Sequence, residues 1–329
     1  MVMSRILAMI VATIAIAASA FADSPAPLKI AVLSSGSKSD GGWNQLAAES
    51  LKKAEKELGA KGVFMEKVNG DKAADLMHDF AAKGYDLVIG HGFEFLTPAA
   101  EVSKTENKTK FAVDGADTAD GNIASLNFDL AQSCYQLGII AGSVTKTGKL
   151  GFIGGEKIPA LISCYKGFLA GAKSVRPDVQ VAEAYTSWDK PEDSKAQAET
   201  YIHQGVDVIL QNVDAASRGV FEAVKEHNDQ NANSPVYTFG ANSDQNDNKV
   251  CPDYTLGSAV IKLDIAFEAV AKSVQDGTFK PGVVAENLAN GVCVTVINPK
   301  LAGKLITAEI QAAVDNAGRK ITAGQLKIE

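Results

Sequence analysis

The chain carries only two tryptophans, Trp43 and Trp188, and both sit among residues equipped to bind a ring rather than to break a bond. Trp43 follows a run of small residues, Ser34 to Gly42, that also holds Asp40. Asn44 and Gln45 come next, at the start of a helical pattern. A helix start offers free backbone N–H groups as well. Two readings of this loop stay open. Asp40 caps the helix with Trp43 as a packing staple, or the loop faces a ligand. Trp188 lies in Thr186-Ser187-Trp188-Asp189, a similar loop in the second half. Two indoles closing on opposite faces of a flat ring would hold a nucleobase, with stacking of about 1–3 kcal/mol per base. Neighbouring loops supply polar groups for base edges and hydroxyls: Phe93 within Gly90 to Phe95, Asp114-Gly115, Asn212 and Asp214, and Asn242 within Gly240 to Gln245.

Sequence patterns for catalysis are missing. No G-x-G-x-x-G follows a strand, and Gly142 to Leu150 fails the P-loop pattern by one spacer and by Leu150. There is no G-x-S-x-G elbow. His78, His91, His203 and His227 are scattered, which fits surface or internally satisfied histidines better than metal ligands. No cofactor is expected. The four cysteines, Cys134, Cys164, Cys251 and Cys293, have no CxxC spacing. Free thiols and disulfides, in any of three pairings, are both open.

These loops need elements to hold them. Lys29–Leu33 reads as a buried strand, and the stretch from Asn44 to Gly59 places Leu46, Leu51, Ala54 and Leu58 at helical spacing, with Gly59 as a stop. Further strands are expected at 62–65, 86–89, 110–113, 149–153, 179–184, 207–210 and 236–239, most of them separated by helical patterns. Such alternation implies parallel sheets covered on both faces. The halves echo each other: Lys29-Ile-Ala-Val matches Lys149-Leu-Gly-Phe, Lys83 to Ile89 matches Gln204 to Leu210, and Lys110 to Gly115 matches Pro235 to Gly240 more loosely. Ordered matches at nearly one offset predict two copies of one α/β unit. Each copy would present binding loops at its strand carboxyl ends, facing across a hinged cleft. After Gly257 a further helix, strands near Val283 and Val294 and a terminal helix from Pro299 are expected. That tail is long enough to cross back between lobes, dividing the chain into 28–130 plus 243–287 and 131–242 plus 288–329.

Residues 1–22 read as a cleavable signal peptide: Arg5, the apolar run Ile6–Ala18 and an Ala20-Phe-Ala22 site. No cysteine follows that site to carry a lipid, so an exported, periplasmic protein is expected. A net charge of −7 with no basic block argues against nucleic acid or an anionic membrane surface as partner. A monomer is expected.

The ordered motifs Asp40 to Gln45, Ile153 to Pro159, Gly167 to Lys173, Gln204 to Ile209 and Ser243 to Gln245 resemble the basic membrane protein family, substrate-binding subunits of ABC importers. The resemblance implies a periplasmic-binding-protein type I fold, two Rossmann-like lobes joined by a hinge. It also implies a membrane ABC permease as partner and a purine nucleoside or base as ligand. By resemblance Trp43 and Trp188 are the stacking aromatics, Asp40 and Asn44 first-loop contacts, Asp114 a cleft carboxylate and Lys262 a lysine near the hinge. Two positions depart from the pattern. Asn242 stands where the family commonly has an aspartate for ribose hydroxyls, and Trp43 replaces a commoner phenylalanine. A sugar or other ring ligand, a periplasmic sensor subunit and an enzyme on the same scaffold are the competing expectations.

Overall fold

A computed structural model describes residues 26–119 and 121–328; the signal-peptide expectation lies outside them. The strands are β1 (Lys29–Ser34), β2 (Lys61–Met65), β3 (Leu87–His91), β4 (Lys110–Asp114), β5 (Ile123–Phe128), β6 (Lys149–Gly154), β7 (Gln180–Tyr185), β8 (Val208–Asn212), β9 (Tyr237–Asn242), β10 (Thr255–Ile261), β11 (Gly282–Glu286) and β12 (Cys293–Ile297). The helices are α1 (Trp43–Leu58), α2 (Gly70–Ala82), α3 (Leu96–Ser103), α4 (Ala131–Val144), α5 (Pro159–Val175), α6 (Pro191–His203), α7 (Ser217–Gln230), α8 (Leu263–Gln275) and α9 (Ala308–Thr322).

Two six-stranded sheets result, ordered β11-β5-β4-β3-β1-β2 and β12-β10-β9-β8-β6-β7. Rank for rank the orders match, so the half-length echo in the sequence is a repeat of topology. All pairings are parallel except β10 with β12, which is antiparallel. Central strands such as β1 and β3 are buried along almost their whole length, as continuous apolar runs between two helical layers require.

The chain crosses between lobes three times. The first crossing precedes α4, whose main packing partner is α5 of the second unit. The division expected at residue 243 falls instead after Ile261, because β10 belongs to the second sheet while α8 packs on α1 of the first. The third lies between β11, which completes the first sheet, and β12, which completes the second.

The α4–α5 pair packs backbone to backbone. A Cβ on Gly171 would lie 1.9 Å from the Tyr135 carbonyl oxygen, and one on Gly167 2.3 Å from that of Ala131. No larger residue fits without moving a helix. The main apolar cluster runs through both units, from Val32 and Leu51 through Leu137 and Phe267 to Phe168 and Leu210. All four cysteines are free and buried, which resolves the disulfide question toward thiols. Burial pushes the Cys251 thiol up to about 12.

Candidate functional site

The strand carboxyl ends of both units border one cavity of about 870 Å³, the size of a small-ligand site. Asp40, Trp43, Asn44 and Phe93 line it from the first unit, and Trp188, Asn212, Asp214 and Asn242 from the second. Eight of the ten expected site residues therefore share one cleft.

Trp43 opens α1 and stacks on His91, ring centres 4.2 Å apart at 23°, with Phe128 edge-on at 5.8 Å. Trp188 rests against Gly155, where a Cβ would sit 2.2 Å from the indole Cε3. Only glycine lets that ring lie flat on the loop after β6.

The two open readings of the first loop are combined. Asp40 Oδ1 accepts from the Gly42 and Gln45 N–H groups at 2.9 and 3.0 Å. Its Oδ2 accepts from the Asn44 N–H and side-chain amide at 3.1 and 2.7 Å. Asp40 thus caps α1 while also facing the cavity. Asn44 accepts the Gly36 N–H at 3.1 Å and a hydrogen bond from the Ser34 hydroxyl, binding the small-residue run to the helix.

In the second unit, the Asn242 amide donates to Asn212 Oδ1 at 3.1 Å and to Asp214 Oδ1 at 2.9 Å. Asp214 and Asn242 hold left-handed backbones, φ 47° and 63°, as does Lys67 at 55°. These are the non-glycine residues with positive φ among the described residues, and all three line the cavity. Strain of this kind, about 1–3 kcal/mol each, persists where a site requires it. Burial and the nearby Asp40 charge push the Asp214 carboxyl up to about 6, against hydrogen bonds from Asn242 and Trp43.

Two expected contacts are corrected. Asp114 does not line the cavity; it is fully buried and paired in register with His91 on the neighbouring strand. Its Oδ2 lies 2.6 Å from His91 Nδ1, and its Oδ1 accepts the Gly92 N–H at 2.8 Å. Lys262 is exposed at the second crossing. Its N–H donates to the Val292 carbonyl at 2.7 Å, and the neighbouring Ile261 reaches the cavity in its place.

Sequence reading missed Lys67, Asn127, Phe128 and Glu156 as lining residues. Asn127 and Phe128 end β5, a strand that was not expected. Lys67 is the sole Lys or Arg among the lining residues, where Asp40, Glu94, Glu156, Asp189 and Asp214 supply carboxyl groups. Among the described residues no group of three or more His, Cys, Asp or Glu is arranged to hold a metal ion.

Two similar α/β units, joined by three crossings and enclosing a ligand-sized cleft, define a two-lobed solute-binding protein. Residues 28–322 match the family model Bmp, described as ABC transporter substrate-binding protein PnrA-like, and the chain belongs to that family. It is similar to the "ABC transporter nucleoside-binding protein BmpA" of Lactococcus lactis subsp. cremoris, 30% identical over 88% of this chain and 85% of that one. It is also similar to a "purine-binding protein" of Brucella abortus, 30% identical over 77% and 70% of the two chains. An ABC solute-binding protein of Aeropyrum pernix shares the fold, with TM-score 0.81, 23% identity and coverage of 92% and 93%.

Proposed function

We propose that this protein captures a purine nucleoside or purine base outside the cytoplasm and delivers it to a membrane ABC permease. The observation that carries the reading is one cavity lined by both tryptophans, Trp43 from one unit and Trp188 from the other. A flat ring between them is covered on both faces only when the lobes are together, so binding and closure are one event. Asp40, Asn44, Asn212, Asp214 and Asn242 serve the base edge and any hydroxyls. Asn242 spends its amide protons inside the second unit and offers its carbonyl oxygen to the ligand. The relatives named for nucleoside and purine binding support the same ligand class. Export through residues 1–22 and action as a monomer complete the proposal.

The test is a panel of purine bases, nucleosides, sugars and amino acids in thermal-shift and small-angle scattering measurements. A purine should raise the melting temperature, because only the folded state binds it, and should compact the protein. A shift with a sugar or amino acid and none with any purine would overturn the assignment. Incubated inosine, adenosine and guanosine should be recovered unchanged. Base released at a rate abolished by cleft substitutions would replace the transport reading with an enzymatic one.

A further inference from the structure

Beneath the indole of Trp43, on the side away from the cavity, lies a buried histidine–aspartate pair. His91 and Asp114 are both fully inaccessible to solvent, and neither lines the cavity. His91 Nδ1 lies 2.6 Å from Asp114 Oδ2, and Nε2 lies 3.0 Å from the carbonyl oxygen of Trp43. Both neighbours are acceptors, so both ring nitrogens are satisfied only as donors, and a histidine that donates twice is an imidazolium. Asp114 Oδ1 takes the Gly92 N–H, which ties the same pair to the loop carrying Phe93.

We propose that His91, held by Asp114, is the positioning residue of the aromatic clamp, setting the height and tilt of Trp43 through its carbonyl oxygen and the inner face of its ring. Three contacts converge on that role. The imidazole stacks on the indole at 4.2 Å and 23°. It holds the backbone of the same residue by a charge-assisted hydrogen bond, about twice as strong as a neutral one. Phe267 of α8 packs edge-on against the imidazole at 6.4 Å.

The charge state follows from what faces His91. Asp114 comes from β4, Glu94 from the turn after β3, the Trp43 carbonyl from α1 and Asp214 from the other lobe. Burial is the largest single influence and opposes the imidazolium. The charge and hydrogen bond of Asp114, with the Trp43 carbonyl and Glu94, together outweigh it and leave His91 above the usual histidine value. A neutral imidazole carries a single N–H, so it would leave one of the two acceptors, the Trp43 carbonyl oxygen or Asp114 Oδ2, facing a bare ring nitrogen.

The role rests on the stacking reading for what occupies the outer face of Trp43; the inner face is tested without any ligand. A Trp188→Phe background leaves Trp43 as the only indole. Stacked imidazolium quenches indole emission, so without ligand the emission should rise with pH, at a midpoint above that of free histidine. Asp114→Asn can keep every hydrogen bond, its amide donating to Nδ1 while its oxygen accepts from Gly92, yet it removes the charge. Its midpoint should fall by one pH unit or more. His91→Phe keeps a ring but frees the Trp43 carbonyl. Acrylamide quenching of Trp43 should rise twofold or more, and inosine affinity per folded molecule should fall at least fivefold. His91→Gln, whose amide reaches the same carbonyl, should recover most of that loss. An unchanged midpoint in Asp114→Asn, or unchanged acrylamide quenching in folded His91→Phe, would overturn the proposal. If His91→Phe does not fold, the Asp114→Asn titration decides alone. Failure of the parent to bind inosine would count against the ligand assignment, while the ligand-free measurements would still judge His91.

Discussion

Asp214 and Trp43 meet across the cleft: Oδ1 of the aspartate, on the second unit, accepts the backbone N–H of the tryptophan, on the first, at 3.3 Å. Gly42 makes the contact feasible, since a Cβ there would lie 2.9 Å from Asp214 Cα. The carboxylate sits at the positive end of α1, where negative charge is favoured. It is also short of solvent and near Asp40, and those two effects win.

Closure should therefore depend on pH in an unusual direction. An aspartate exposed in the open form has its ordinary value near 3.9, against about 6 in the closed form. The closed form binds the proton more tightly, so it gains on the open form as pH falls from 7 through 6 toward 4. By linkage the closed-to-open ratio rises up to about tenfold between pH 7 and pH 5, and less where water in the cleft screens the carboxylate. Inosine affinity measured from pH 8 to pH 5 should strengthen severalfold, and Asp214→Asn should flatten the curve. Affinity that weakens on acidification in the parent, with Asp214→Asn unchanged, would refute this.

Trp43→Ala and Trp188→Ala should each weaken purine binding by about 1–3 kcal/mol, roughly fivefold to 150-fold in Kd. Trp→Phe should cost much less, because a ring face survives. Calorimetry on the folded fraction separates this from simple packing. Lowered stability with affinity per folded molecule intact would mean that the tryptophans only support their loops.

Gly155→Ala should act on affinity through Trp188. The new methyl would occupy the indole's place, 2.2 Å from Cε3, and the ring must tilt away. Binding should fall at least several-fold while the melting temperature changes little, since the half-buried loop can shift. Equal affinity in parent and variant would show that Trp188 does not lie under the ligand.

All four thiols should resist modification in the native protein and react after denaturation, four per chain, without reductant. They are buried, and the thiolate is the reactive form. Burial also holds Cys251 up at about 12. Fewer than four thiols in the unreduced, denatured protein would reveal a disulfide.

The parallel strands with continuous apolar runs were legible, because burial on both faces leaves few polar residues in them. Two strands were not, and they hold matching places in the two sheets. β5 is interrupted by Ser125 and Asn127, and β10 by Gly257 and Ser258. Each reads locally as a loop until tertiary pairing buries it. Missing β10 moved the expected lobe boundary by some twenty residues, and missing β5 hid Asn127 and Phe128. The terminal helix starts at Ala308 rather than Pro299, since the Asn298 side chain and an Ala302–Ile306 bridge organise turns first. In the cleft, residue types at strand ends identified most of the lining. Asp114 was misplaced because a strand-end carboxylate points to the ligand or to its neighbour according to register. Its alignment with His91 on β3 sends it to the neighbour.

The late arrival of the edge strands has a bearing on how the chain is made. The first sheet waits for residues 282–286 and the second for residues 293–297, so neither lobe is whole until nearly nine-tenths of the sequence exists. Domains of most proteins fold in turn as they leave the ribosome; here the two lobes become competent almost together. Contacts so distant along the chain also nucleate slowly. A polypeptide with this ordering cannot complete either sheet until late in its synthesis, so both lobes wait on one short late segment.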